Sequence, residues 1–522
     1  MDIYNRLKIF TMRAFIKQYW LLFVFVVAKM FLQLMLVNPV YELHRDEFLH
    51  LDQAGHLAAG YQSVPPFTSW ISVIIHWLGN DIFWIRFFPA LFGALTIVFA
   101  WMIVEEAGGR LYAKIVTSLA LLFSVLIRMN ILYQPNSFDI LAWTMVFYFL
   151  IRYVNTNKVK WLFAFAIIAA IGFLNKYNIL FLLSGLIPAF LITRHRVIFT
   201  RKEFYWSMAL LLLLILPNII WQVVNHFPVI HHMEALKQYQ LVNINRVDFI
   251  KDQILFFMGS LPLIIASFIG FCFHKSLSRY RFVGWAFLFV ILLYVLARAK
   301  SYYAMGLYPV LIALGSVYLV EVWNKGWKQC LLPVFILFNG IVLMPVLQYF
   351  IPRELPATII AHASGYKSYG LLRWEDGRDH ELPQDFADML GWREMAQKTK
   401  DVYNSVPLPE RSETLIFTDN YGQAGAINYY NQGKIPPVYS FCTDYIFWIP
   451  VTKNIRNMVL VGNLPGEDVL KCFISCQLVG RVENAYSREK GTGIFLLKGA
   501  SKEFTKLFYR MRDQRIRNFA IY

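Results

Sequence analysis

"YELHRDEFLHLDQAGHLAAGYQSVPPFTSW", residues 41–70, follows the first long apolar run of the chain and gathers Arg45, Asp46, Glu47, His50 and Asp52 within eight positions. Leu43, Phe48, Leu49, Leu51, Leu57 and Ala58 read as a helix lying at a membrane interface, ended by "GYQSVPPF" before the next apolar stretch. A charge at the bilayer centre costs at least about 2.5–3.5 kcal/mol, so acidic residues at such depth line a water-filled cavity. The plain alternative is a solvated loop in which Arg45 and Glu47 anchor an interfacial helix.

The rest of the chain sets the context. Of 522 residues, 57% are hydrophobic and 17% aromatic, and mean hydropathy is +0.46, against roughly 45–50% apolar in soluble domains. The sequence therefore predicts a polytopic α-helical membrane protein. Apolar runs place about eleven spans near 19–39, 82–104, 114–132, 138–154, 161–174, 178–193, 204–222, 254–273, 282–298, 303–322 and 329–350. "FAIIAAIGFLNKYNILFLLSGL" is short for two crossings, so its helices are expected to be broken or tilted. Arg6, Lys8, Arg13 and Lys17 precede "YWLLFVFVVAKMFLQLMLV" with no small-residue cleavage site after it, which reads as an uncleaved first span.

A net charge of +17 is compatible with nucleic acid, an anionic substrate or cytoplasmic loops. Its distribution favours the loops. One set of connections, including Arg110, Lys114, Lys158, Arg194, Lys275 and Lys325, holds 18 basic residues, whereas the other short connections hold eight. By the positive-inside rule the first set and the N-terminus are cytoplasmic. The loop at 40–81 and everything after 350 then face outward.

Residues 1–350 are expected to form the membrane domain, and 351–522 a soluble α/β domain outside it. "SETLIFTD", "PVYSF", "NMVLVGN" and "GIFLLKG" read as strands, and "FADMLGWREMAQKTKDVYNSV" as one amphipathic helix carrying Phe386, Met389, Leu390, Met395 and Val402. Five scattered cysteines match no zinc framework, although Cys472 and Cys476 leave a disulfide open.

The topology brings further polar residues to the outward side: Arg128, Asn130, Gln134 and Asp139; Asn175, Lys176 and Asn178; Gln222, Asn225 and His226; Arg298, Lys300, Tyr302 and Tyr303. Carboxylates with cations suit transfer of a sugar from a lipid-linked phosphate, in which a base takes the acceptor proton and cations hold the departing phosphate. No cofactor is required, and a divalent ion at Asp46 is the alternative. His44, His50 and His56 recur six apart, about 240° around a helix, and so read as interfacial rather than ligating.

The acidic pair and "GYQSVPPFTSW", followed in order by "YQPNSFDILAWTMVFYFLIRY", "GFLNKYNILFLLSGL", "LPNIIWQ", "AKSYYAMGLYPVLIALG", "LPQDFADMLGWREM" and "DNYGQAGAINYYNQ", resemble bacterial GT-C glycosyltransferases. The family is that of the protein O-mannosyltransferases and lipid A aminoarabinose transferases, glycosyltransferase family 39. The resemblance implies a GT-C fold and an inverting transferase taking a sugar from a polyprenyl-phosphate donor to an extracytoplasmic acceptor (protein, lipid A, lipopolysaccharide core or another glycan) in the bacterial cytoplasmic membrane. It implies Asp46 as the base and Glu47 as holder of the substrate or of the base's orientation. Lys176, with Arg298 and Lys300, would meet the lipid phosphate, and Asp139 stands where the family keeps an acidic residue. Arg45, His50, Gln134, Asn178, Tyr303, Tyr421 and Gln423 complete the expected substrate contacts. Val64 precedes Pro65 and Pro66 where the aminoarabinose pattern has a lysine, so that sugar is not implied. The bland readings are a helix-terminal role for Asp139 and snorkelling or span-end anchoring for Lys176, Arg298 and Lys300. The rival function is a transporter or flippase of a lipid-linked or anionic solute; its signature would be internal pseudo-symmetry with charges at the bilayer midplane.

Overall fold

A computed structural model describes residues 2–239, 241–324, 326–450 and 454–518, with the side chains of residues 2–18, 239, 243 and 518 left out of account. Lys325, one of the basic loop residues, lies outside the described residues. The chain divides into two compact units. The first comprises Met1–Val37, Phe83–Leu216 and Ile244–Ile351; the second comprises Asn38–Ile82, Pro217–Asn243 and Pro352–Tyr522. The sequence reading placed its boundary at 350, and in the structure two earlier segments also cluster with the C-terminal part.

The first unit is helical. Each of the eleven apolar runs coincides with one or more helices, because a segment without access to water must satisfy its amide groups internally. Among the described residues six helices are long and apolar enough to cross a membrane: Ile82–Glu106, Pro135–Thr156, Lys202–Val224, Leu277–Ala297, Ser301–Trp323 and Gly326–Tyr349. Two bent pairs bring the number up to eight if each is one span: Ile179–Leu191 with Arg194–Thr200, bent by 110°, and Arg246–Phe256 with Met258–Phe273, bent by 67°. The first apolar run lies on the helix Asp2–Met35, and Leu111–Leu122 and Lys160–Asn175 are shorter apolar helices. The protein is a multi-pass membrane protein, and among the described residues fewer long straight spans are found than there are apolar runs. Breaks at Phe123 and Phe257 divide two of the runs, and the helix Ile179–Leu191 is followed by a sharp bend.

The second unit contains a five-stranded sheet of order β2-β1-β3-β5-β4, with β1 Thr414–Thr418, β2 Tyr439–Ser440, β3 Asn457–Gly462, β4 Phe473–Arg481 and β5 Gly493–Ala500. β1 runs parallel to β2 and β3; β5 is antiparallel to β3 and β4. β1 and β3 are buried throughout, as expected for the apolar runs "TLIFT" and "NMVLVG". Leu415, Phe417, Leu460, Phe495 and Leu497 pack with Phe504 and Phe508 of the helix Lys502–Asn518. The expected helix over 386–406 is two: Gln384–Ala387 and Trp392–Asn404, separated where Gly391 takes φ +85°, a conformation open to glycine. All five cysteines are unpaired.

Against this sheet unit lies the helix Arg45–Asp52, decided by its own N-terminus. His44 is extended, its amide donates to Glu47 Oε2 at 2.7 Å, and its ring nitrogen Nδ1 lies 3.2 Å from the Asp46 amide. This is a capping box built with histidine in place of the usual hydroxyl. The helix Tyr421–Tyr430 starts in the same way, with Asn420 and Gln423 as reciprocal caps. The two helices meet at glycines: a Cβ on Gly425 would lie 2.7 Å from both Phe48 Cβ and Tyr445 Oη, and one on Gly422 would lie 3.1 Å from Arg45 Cβ. Phe48 fills the space with its ring against Trp392, Tyr429 and Tyr430. A Gly425→Ala protein must push this contact apart, and overpacking costs about 1–3 kcal/mol. Its thermal unfolding midpoint, followed by tryptophan fluorescence in detergent, is expected to fall below that of the parent, with the loss larger for Gly425→Val.

Candidate active site

The carboxylates of the first outward segment are held in unlike ways, all within the second unit. Asp46 sits in the first turn of its helix, where the aligned amides favour an anion. Its Oδ1 accepts a hydrogen bond from Tyr421 Oη at 2.7 Å, and the Arg45 guanidinium stacks 4.4 Å over the Tyr421 ring. Burial raises the Tyr421 hydroxyl well above its ordinary range, which keeps it protonated and a donor. For Asp46, burial acts to raise the pKa, but His44, Arg45 and the Tyr421 hydrogen bond outweigh it and hold the carboxyl below its usual value. The side chain keeps 36% of its surface exposed. Asp46 is thus an ionised, accessible and oriented carboxylate.

Glu47 is fully buried and its Oε2 is committed to the His44 amide. Its place is therefore in fixing the helix that carries Asp46. His50 is buried, burial holds its pKa below the ordinary value, and its carbonyl accepts from Ser72 Oγ at 2.6 Å. Gln423 is buried with both ends of its amide engaged, Nε2 on Glu489 at 2.6 Å and Oε1 on the Asp419 amide at 3.1 Å. The glycines of "DNYGQAGAIN" stand inside the helix and serve the packing just described. His56 stacks on Trp448 at 4.2 Å, so the three evenly spaced histidines occupy three different environments. Among the described residues no group of three or more His, Cys, Asp or Glu side chains is arranged to hold a metal ion.

Several partners were not foreseen from sequence. Asp52 accepts from Tyr445 Oη at 2.7 Å and Asn428 Nδ2 at 2.8 Å. Asp444 accepts from the Gln62 amide at 2.7 Å and from Gln53 Nε2 at 2.9 Å, pinning the loop that contains Pro65 and Pro66. Asp388 pairs with Arg488 at 3.2 Å, and its carbonyl accepts the Arg45 amide. Most of these partners lie more than 300 positions apart in the chain, and no local pattern marks them.

The first unit holds the second polar group. Lys176, at the C-terminal end of the helix Lys160–Asn175, donates to Asn136 Oδ1 at 2.7 Å and lies 4.2 Å over the Tyr303 ring and 5.2 Å over that of Tyr302. Asn136 in turn donates to Gln134, the residue before the helix Pro135–Thr156. Asn178 donates to Asp139 Oδ2 at 2.7 Å and to the Tyr303 carbonyl at 3.0 Å, and accepts from Tyr294 Oη at 2.6 Å. The other Asp139 oxygen takes the Trp143 indole at 3.0 Å. Asp139 and Asn178 therefore tie the turn bearing Lys176 to three other segments. Arg298 is exposed and ends its helix in a left-handed conformation, φ 52°, two residues before Lys300. The structure joins Lys176 with Tyr303 and Asp139 with Asn178.

The chain is a multi-pass protein with the GT-C fold and a small C-terminal sheet domain, as its likeness to solved structures shows. It is similar in fold to ArnT from Cupriavidus metallidurans bound to undecaprenyl phosphate, with 14% identity, 93% of this chain and 99% of that chain covered, and a TM-score of 0.61. It is also similar to apo ArnT from the same organism, with 13% identity, 93% and 98% covered, and a TM-score of 0.59. Residues 63–221 match the family model described as dolichyl-phosphate-mannose-protein mannosyltransferase, so the likeness to the GT-C glycosyltransferases expected from the sequence holds. That match takes in Gln134, Asp139, Lys176 and Asn178 and begins after Asp46. No curated protein sequence matches the chain.

Burial lifts Asp52 from 3.8 to about 7, against its two hydrogen bonds. A carboxyl with a raised folded-state pKa favours folding when protonated, and that advantage is lost as pH climbs from about 4 through 7. Asp52→Asn, which keeps an acceptor for Tyr445, is expected to flatten the decline of the unfolding midpoint over this interval. The part due to Asp444, raised by burial to about 6, would remain.

Proposed function

We propose that the protein transfers a sugar from a polyprenyl-phosphate donor to an acceptor outside the bacterial cytoplasmic membrane, with inversion at the anomeric carbon. The observation that carries this reading is Asp46, an ionised and part-exposed carboxylate oriented by Tyr421. The family-model match over 63–221 and the fold shared with an ArnT that binds undecaprenyl phosphate support a lipid-linked donor. In this orientation the C-terminal domain, 351–522, lies outside and the N-terminus lies in the cytoplasm.

The roles follow from the local chemistry. Asp46 removes the proton of an acceptor hydroxyl as its oxygen attacks the anomeric carbon. The bond from that carbon to the phosphate oxygen breaks, and the phosphate leaves with the electron pair. Single displacement with one base inverts the centre. Lys176 provides the cation for the phosphate: it now shares its ammonium with the Asn136 amide and tyrosine rings, and a phosphate is a stronger, charge-assisted partner than either. Glu47 acts on the base through the helix cap.

A general base contributes about 10²–10⁴-fold. Asp46→Asn is expected to lose transfer by that factor, read as release of polyprenyl phosphate from an extract of polyprenyl-phosphate glycolipids, while its melting profile stays near that of the parent. Undiminished turnover by Asp46→Asn would sink the assignment. Lys176→Gln is expected to weaken donor saturation, with a rise in the apparent KM for the glycolipid. Mass spectrometry of glycans from cells lacking the protein reads sugar and acceptor from the missing mass; a flippase would leave the glycolipid itself chemically unchanged.

A further inference from the structure

His44 does more than begin a helix. It is buried, and its two ring nitrogens face opposite ways. Nδ1 lies 3.2 Å from the Asp46 amide and 3.8 Å from Asp46 Oδ2. Nε2 lies 3.7 Å from Asp385 Oδ1 and 3.7 Å from Asp388 Oδ2. The charged groups around it are Arg45, Asp46, Glu47 and His50 from its own segment, Asp385 and Asp388 from the segment after Pro383, and Arg488, which pairs with Asp388. Asp388 is buried, whereas the Asp385 side chain is 53% exposed.

The two contacts of Nδ1 exclude each other. A neutral imidazole with its proton on Nε2 accepts the Asp46 amide through Nδ1 and caps the helix. An imidazolium carries a proton on Nδ1, cannot accept, and turns that proton toward the Asp46 carboxylate. Tyr421 already holds Oδ1, so the charged ring would fix the second oxygen.

We propose that His44 is a positioning residue for the base: in its protonated form it pairs with Asp46 and sets the carboxylate's orientation, and Asp385 and Asp388 keep it protonated. The inference rests on the reading of Asp46 as base and extends it to the C-terminal segment, which would then govern the base without touching substrate. Burial disfavours the His44 charge, but the three carboxylates outweigh it and lift the ring to about 9.

The test is the pH dependence of polyprenyl phosphate release from the same glycolipid extract, using the full-length protein. The parent is expected to show an alkaline limb as His44 loses its proton. Asp385→Asn, an exposed change away from Asp46, should move that limb to lower pH. His44→Gln retains a side-chain acceptor for the cap and should lower the rate while abolishing the limb, and adding Asp385→Asn to it should shift nothing further. A histidine that only caps the helix would leave the limb in place in both single variants, and that result overturns the proposal. Asp46→Asn is assayed alongside: activity there removes the base itself, whereas an inactive Asp46→Asn with an unmoved limb in Asp385→Asn removes only the role of His44.

Discussion

The contact on which the second unit depends is the approach of the helix Arg45–Asp52 to the helix Tyr421–Tyr430 at Gly422 and Gly425. Two glycines remove the side chains that would hold the backbones apart, and Phe48 occupies the gap with its ring enclosed by three aromatic neighbours. The polar ends of the short helix then fall within reach of the same partner segments. Asp46 meets Tyr421, and Asp52 meets Asn428 and Tyr445. Six residues of helix rise about 9 Å, close to the advance from Tyr421 to Asn428, so one register satisfies both carboxylates.

Much of this was legible, and the failures have physical causes. Apolar runs mark membrane segments because the bilayer excludes unpaired amides, so all eleven runs coincide with helices. Hydropathy does not register a bend: the breaks at Phe123 and Phe257 divide runs that read as continuous, whereas the turn at Lys176 falls between two runs read apart. Four strands were readable from their β-branched and aromatic content. β4 was not: Ser475 and Gln477 interrupt its apolar residues, and nearly all of it is exposed at the sheet edge, where ladder hydrogen bonds rather than burial sustain it. Gly391 looked like an ordinary member of an amphipathic helix and instead breaks it at positive φ.

The site was legible in the same uneven way. An acidic pair after a span announces itself through cost, since charge near lipid needs a reason. That criterion finds Asp46 and Lys176 but cannot separate a group that meets substrate from one that orders its neighbours. In the structure Glu47, Asp139 and Gln423 hydrogen-bond to the backbone and side chains that shape the turns around them. Tyr445, Asp444 and Asp388 were invisible because their partners lie several hundred residues away in sequence.

Burial of so many carboxylates in one small region needs an electrostatic account. Each buried anion is costly unless it is paired or hydrogen-bonded, and the unit answers in two ways. Asp52 and Asp444 receive neutral donors only, and burial prevails, raising both toward neutrality. Asp46 is flanked by His44 and Arg45 as well as Tyr421, and there the cations prevail over burial. The same short segment therefore holds one carboxyl inclined to keep its proton and one held ready to accept one. The placement of His44 and Arg45 beside Asp46, together with the Tyr421 hydrogen bond, provides that division.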